Sequence, residues 1–185
     1  MTDRRSETTE KLLRAARAQF AALGFERTTV RSVAAEAGVD PALVIRYFGG
    51  KDGLFAEAAA VDLKLPDLRH VPRQEIGQAV VKHFLHRWED EDGHDILRVL
   101  MRSAATNPSA AAQMRAIFAD QVARMVASVV PEREARTRAG LIATQVLGLA
   151  FVRNVVRLPE PALDIDALAR TIGPTIERYL FEPIG

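Results

Sequence analysis

Apolar residues along this chain recur at the three- and four-residue spacing of one helical face, and no stretch alternates apolar with polar residues for the length of a strand. No Asn-Gly or Asp-Gly pair sits between β-branched runs. A chain patterned in this way buries its apolar surface by packing helix on helix, so the expected fold class is all-α. With 48% hydrophobic and 26% charged side chains in 185 residues, the composition is that of a globular protein rather than a disordered one.

Punctuation divides the pattern into about nine helices. Leu12, Leu13, Ala16, Phe20 and Leu23 form one stripe on a first helix over about 6–23. Gly24 ends that helix, and Phe25 is placed to pack back on it. Thr28-Thr29 caps a short helix over 30–37. Gly38 ends it, and Asp40 with Pro41 opens a third helix that runs to about Phe48. After Gly49-Gly50 a fourth begins at Lys51-Asp52, carries Leu54, Phe55 and Ala58, and is expected to reach about Leu63. Pro66 and Pro72 frame a connection. Further helices are expected over about 74–88, 96–105, 108–130, 131–157 and 165–180. Pro174 lies inside the last one. Leu168, Ile172, Ile176 and Leu180 keep their phase across it, which predicts a kink rather than a stop.

The segment most informative about function is the pair of short helices joined at Ala37-Gly38-Val39-Asp40. Gly38 permits the left-handed backbone of a tight turn between crossed helices. Val33, Ala34, Ala37, Val39, Val44 and Phe48 fill the wedge between them, and the second helix then shows its N-terminal half to solvent. This is a helix-turn-helix pattern, although short helix pairs with a glycine turn also occur as plain structure. Charge points weakly to the same end of the chain. Residues 1–51 hold nine Lys or Arg against six Asp or Glu, and the rest holds 16 against 18. A basic head on a mildly acidic body suits contact with a polyanion.

Several classes fall away. The absence of Cys removes disulfide scaffolds, thiolate metal sites and Cys nucleophiles. The opening MTDRRSETTEKLLR has no apolar run of a signal peptide. The longest uncharged run, 139–152, has 14 residues, fewer than the roughly 20 of a membrane span. A cytoplasmic protein without a membrane partner is expected. No Gly-rich phosphate loop, Gly-x-Ser-x-Gly or His-Glu-x-x-His occurs, and no enzyme, cofactor or metal is expected. The alternative is a metal site at His83 and His86 with His94 and the acids of 89–95. Its simpler reading is surface histidines beside a solvated acidic loop. A second alternative, a helical adaptor without DNA contact, leaves Arg31, Arg46, Tyr47 and Lys51 unexplained.

Residues 20–55, FAALGFERTTVRSVAAEAGVDPALVIRYFGGKDGLF, resemble the N-terminal DNA-binding domain of the tetracycline-repressor (TetR) family of bacterial regulators. The likeness rests on Gly24-Phe25, Thr28-Thr29-Val30-Arg31, Val33-Ala34, Ala37-Gly38-Val39, Tyr47-Phe48, Lys51 and Leu54-Phe55. The resemblance implies a three-helix DNA-binding domain over 1–51 and a regulatory domain over 52–185. It also implies roles. Thr29 and Arg31 open the second helix, where such proteins contact phosphate and an occasional base. Pro41, Ala42, Leu43, Ile45 and Arg46 lie on the exposed face of the recognition helix, and Tyr47 and Lys51 sit where relatives hold phosphates. Arg46 has the chemistry to pair with guanine, and Pro41, Ala42 and Leu43 to meet a thymine methyl. The helix departs from the family pattern at Ile45, commonly Tyr, and Leu43, commonly small or hydroxylated. Gly50 stands where Ser or Asn usually caps.

A small apolar effector is expected among the middle helices, with Phe84, Trp88, Met101, Met114, Phe118, Met125, Gln145, Phe151 and Asn154 as candidate lining. Each apolar candidate is also a plausible core residue. The uncharged run 139–152, with Gly140, Ala143, Gly148 and Ala150, and the last helix resemble the family's four-helix dimer interface. The expectation is therefore a homodimeric repressor on an inverted-repeat operator, released when the effector binds.

Overall fold

The structure, a computed structural model, describes residues 4–89, 94–158 and 164–184. Among these there are nine helices and no strand: α1 (Arg4–Arg27), α2 (Val30–Ala37), α3 (Pro41–Phe48), α4 (Lys51–Ala58), α5 (Ile76–Glu89), α6 (His94–Ser103), α7 (108–127), α8 (Glu132–Val156) and α9 (Ile165–Phe181). Two helices widen into π turns, α7 over Phe118–Val122 and α8 over Phe151–Val156. The expected all-α class and helix order are observed.

The chain forms two compact units, Met1–Val61 with Asp95–Arg115, and Asp62–His94 with Ala116–Gly185. In the first, Leu12, Ala16 and Phe20 of α1 are fully buried. Gly24 leaves helical geometry at φ 76°, ψ 174°, and the chain turns so that Phe25 comes back against the core. Phe20, Phe25 and Phe55 form one cluster, with ring centroids 4.9 to 6.0 Å apart in stacked and edge contacts. Leu23 departs from the expected stripe and is 41% exposed. The turn at Gly24 puts Phe25, and not Leu23, at the end of the buried face.

The second unit is built on α5 crossing α9. The helices meet at two glycines, where a Cβ on Gly77 would stand 2.0 Å from the carbonyl oxygen of Gly173. Val80, Val81 and Leu85 of α5 pack with Leu168, Ile176 and Leu180 of α9, Ile142 and Val146 of α8, and Met125 and Val126 of α7. α9 runs through Pro174 without ending, as its apolar phase predicts.

One helix end differs from expectation. α4 stops at Ala58 rather than near Leu63. Beyond it, tertiary partners take the backbone groups that a helix would have paired. The Leu63 amide donates to Gln121 Oε1 (2.8 Å), and His83 Nε2 lies 2.9 Å from the Leu63 carbonyl oxygen. Lys64 follows in left-handed geometry at φ 50°. His83 is thus engaged with backbone. Among the described residues no group of three or more metal-ligating side chains converges. The side chain of His94 and the acidic loop lie outside what is described.

α8 is long and apolar enough, by length and composition, to cross a membrane, which the 14-residue uncharged run understates. Only 22% of its most apolar 18-residue stretch is buried within the chain. Its inward face is Ala135, Arg138, Ala139, Ile142, Val146 and Ala150. Thr144, Gly148 and Phe151 are exposed on another face, and a Cβ at Gly140 or Gly148 would meet nothing within 4 Å.

Candidate nucleic-acid interface

α2 and α3 are each eight residues long, so their ends decide their geometry. Thr29 accepts a hydrogen bond from the Ser32 amide (3.0 Å), and Ser32 Oγ accepts from the Thr29 amide (3.2 Å), a reciprocal cap. Gly38 closes α2 in left-handed geometry (φ 68°, ψ 36°). Two residues later Asp40 Oδ1 accepts from the Ala42 amide at 2.7 Å and starts α3. The wedge is as expected, with Val33, Ala34, Val44 and Phe48 buried. Gln19 of α1 fastens the pair: its Nε2 donates to the Ser32 carbonyl (3.0 Å) and to Glu36 (2.6 Å), and its Oε1 accepts from Ser32 Oγ (2.6 Å).

With one face of α3 locked inward, the other is presented to solvent. Ala42 and Arg46 are exposed, Ile45 is 62% exposed, and Pro41, Leu43 and Tyr47 are half-buried. Arg46 is held in place. Its guanidinium lies 4.9 Å from the centre of the Tyr47 ring, and Nη2 donates to the Tyr47 hydroxyl at 2.9 Å. Lys51, the first residue of α4, donates to the Glu26 carbonyl (3.1 Å) with its ammonium 4.3 Å from the centre of Phe25. Gly50 precedes it at φ 128°, a conformation suited to glycine, and gives α4 no side-chain cap. Arg31 is exposed in the first turn of α2.

All nine expected DNA-contact positions, Thr29, Arg31, Pro41, Ala42, Leu43, Ile45, Arg46, Tyr47 and Lys51, lie in this one unit on α2, α3 and the residues flanking them. Sequence reasoning missed Gln19 and Arg5, whose guanidinium stands 5.3 Å from the centre of the Tyr47 ring. Neither carries a local signal, because each acts on residues far along the chain.

The expected effector-lining positions are divided between the units. Met101 and Met114 belong to the first, and the other seven to the second. Phe84 and Trp88 adjoin on α5, ring centroids 6.1 Å apart, and the buried Trp88 Nε1 has no hydrogen-bond partner among the described residues. Met125 is buried in the core of the second unit. Phe118 lies in the π turn of α7, Phe151 and Asn154 in that of α8. Phe151 is 42% exposed, Asn154 donates to the Ala150 carbonyl (3.1 Å), and Gln145 to the Tyr179 hydroxyl (3.4 Å).

A capped helix pair with an outward recognition helix and a fixed cationic rim defines a helix-turn-helix DNA-binding protein. Residues 12–58 match the family model for bacterial regulatory proteins of the tetR family, and residues 74–180 match the tetracyclin repressor-like C-terminal domain. The chain belongs to the TetR family of transcriptional regulators. Among solved structures it is similar to a TetR-family regulator from Streptomyces coelicolor A3 (29% identity, 95% of each chain covered, TM-score 0.62). It is also similar to a transcriptional regulator from Rhodococcus sp. Rha1 (27% identity, 93% of this chain and 95% of that one, TM-score 0.65). NalD of Pseudomonas aeruginosa, the secondary repressor of the MexAB-OprM multidrug efflux pump, shares the fold (20% identity, 97% and 99% covered, TM-score 0.65). No curated protein sequence matches significantly.

Proposed function

We propose that this regulator is a homodimeric cytoplasmic repressor that binds an inverted repeat and leaves it when a small apolar effector occupies the regulatory domain, 52–185. The observation that carries the DNA reading is Ile45. An isoleucine 62% exposed on a short helix whose other face is buried through Val44 and Phe48 leaves a bulky apolar side chain open to a partner. At the exposed face of a recognition helix it would meet thymine methyl groups, beside Ala42 and Pro41. Arg46, held by Tyr47, supplies the one strong base reader. Lys51, Arg31 and the uncapped first turn of α4 supply phosphate contacts that fix register without reading sequence.

The open face of α8 supports the second copy. Thr144 and Gly148 let a neighbouring helix approach, and Phe151 adds apolar area. Two subunits related by a twofold axis place two recognition helices on one DNA face, ~34–36 Å apart for half-sites one turn apart. Gly148→Arg is expected to convert the dimer to monomers by sedimentation equilibrium while leaving the helical circular dichroism unchanged. A variant that stays dimeric places the interface elsewhere.

Effector and DNA would favour different states of one equilibrium, with a coupling of about 1–3 kcal/mol. α4 follows directly on the recognition helix, and it is tied to α7 by Ser109 Oγ donating to Asp52 Oδ1 (2.8 Å) and Gln113 Nε2 donating to the Ala59 carbonyl (3.4 Å). α7 continues into the π turn that holds Phe118. We assign the signal to this path: a change at the π turn shifts α4 and with it the spacing of the recognition helices. Ser109→Ala combined with Gln113→Leu, which removes both ties, is expected to keep DNA affinity and weaken the effector response; an unchanged response overturns this path.

Selection of bound duplexes from a random pool at near-physiological salt tests the whole reading. An enriched inverted repeat is the expected result, and a pool that stays random overturns the sequence-specific reading. On the selected site, Arg46→Ala is expected to lose about 1–3 kcal/mol of discrimination at one position per half-site. Lys51→Ala is expected to weaken all duplexes alike and to lower the salt slope by about one per half-site. Equal effects of the two variants would remove the division of roles.

A further inference from the structure

The contact between Arg5 and Tyr47 joins the first turn of α1 to the end of the recognition helix, 42 positions along the chain. Tyr47 carries two guanidinium groups, Arg5 at 5.3 Å and Arg46 at 4.9 Å from the ring centre. Both arginines are exposed. Each is attracted to the electron-rich ring, which places the Arg5 guanidinium at the end of the recognition helix, and a guanidinium is suited to an anion. The position in the fold says which anion. The N-terminal half of a recognition helix faces base edges, and Tyr47 is the penultimate residue of α3, towards the rim where backbone passes.

Resting on the DNA-binding reading above, we propose that Arg5 is a phosphate contact, so that the start of α1 extends the DNA footprint beyond the helix-turn-helix. Tyr47 has two separable duties in this arrangement. Its ring gives Arg5 a surface, and its hydroxyl orients Arg46. Phosphate neutralisation by Arg5 releases counterions whatever the sequence, so its signature is a change in salt dependence on every duplex. A purely structural role for Arg5 would leave that dependence unchanged.

The test measures affinity against salt concentration for the full chain on two probes, the duplex enriched from the random pool and an unrelated duplex of equal length. Arg5→Ala is expected to lower the slope of log K against log salt by about 0.9 per half-site on both probes. Arg5→Lys keeps the charge and is expected to retain the wild-type slope. Tyr47→Phe keeps the ring and is expected to retain the slope while losing discrimination at the position read by Arg46. Thermal unfolding of each variant reports its folding independently. An Arg5→Ala protein with the wild-type slope, whatever its affinity, overturns the inference and leaves the DNA-binding reading standing. A wild-type chain that binds neither duplex overturns both.

Discussion

Arg138→Ala is expected to destabilise the second unit by about 3 kcal/mol, seen as a lower urea midpoint at pH 7. Arg138 is 7% exposed, a charge inside the fold on the inward face of α8. All three of its guanidinium nitrogens donate hydrogen bonds. Nε and Nη2 donate to Glu134 Oε2 at 2.9 and 2.7 Å, and Nη1 donates to the carbonyls of Tyr179 (2.7 Å) and Glu182 (3.0 Å). Those carbonyls belong to the last turn and cap of α9, where the helix dipole is negative and a cation is favoured. One side chain thus pairs an acid one turn away and closes the end of another helix. Alanine leaves the carboxylate without its main partner and the carbonyls uncapped, and it opens a cavity.

The same contact has a pH signature. The hydrogen bond from Arg138 holds the Glu134 carboxyl below its ordinary value of 4.5. A carboxyl depressed in the folded state adds stability above its unfolded value, and that stability is lost as pH falls through the folded one. The gap between wild type and Arg138→Ala is therefore widest at neutral pH and narrows towards pH 3. It does not vanish there, because the carbonyl contacts do not titrate. Equal midpoints at pH 7, or a gap that does not change with pH, would contradict this account.

Gly77→Ala carries the second large effect. The added Cβ would stand 2.0 Å from the Gly173 carbonyl oxygen and 2.7 Å from its carbon, both backbone atoms that cannot rotate aside. α5 and α9 must separate, which loosens Val80, Leu168 and Ile176 around the crossing. Overpacking typically costs 1–3 kcal/mol, and a collision with backbone belongs near the upper end, ~3 kcal/mol. For a chain of this size that is a fall of roughly 6–12 °C in melting temperature. Gly173→Ala meets its nearest atoms only at 2.9 Å, one of them the flexible Gln78 side chain. It is expected to cost clearly less. A Gly173→Ala variant less stable than Gly77→Ala would show that the crossing adjusts differently from what the spacing implies.

Local punctuation was legible at the glycine turns and at the cap of α3. Gly24, Gly38 and Gly49 all take positive φ, and Asp40 accepts a hydrogen bond from the first turn of α3, whereas the positive φ of Lys64 and Arg157 and the Asp164 cap of α9 went unread. The helix-turn-helix was readable because its information is local, with a cap, a glycine turn and a wedge of small residues packed into 20 positions. The end of α4 was not. Ala59 to Leu63 has no breaker, and the groups that take the backbone there lie far along the chain: Arg17 on the Ala58 carbonyl, Gln113 on the Ala59 carbonyl, and Gln121 and His83 on Leu63. Arg138 read as the edge of an uncharged run, since nothing in its neighbourhood announces the end of α9.

The sequence by itself determined the helical class, the order and number of helices, the recognition helix and its unusually apolar face. Periodicity and capping act within a few residues, and those interactions can be read in order along the chain. Only the tertiary structure decided which long-range groups meet: Arg5 on Tyr47, Gln19 on α2, Arg138 on the cap of α9, and Gly77 against Gly173. These contacts depend on how whole helices cross. The crossing is set by the collective packing of many side chains, and no short segment contains it.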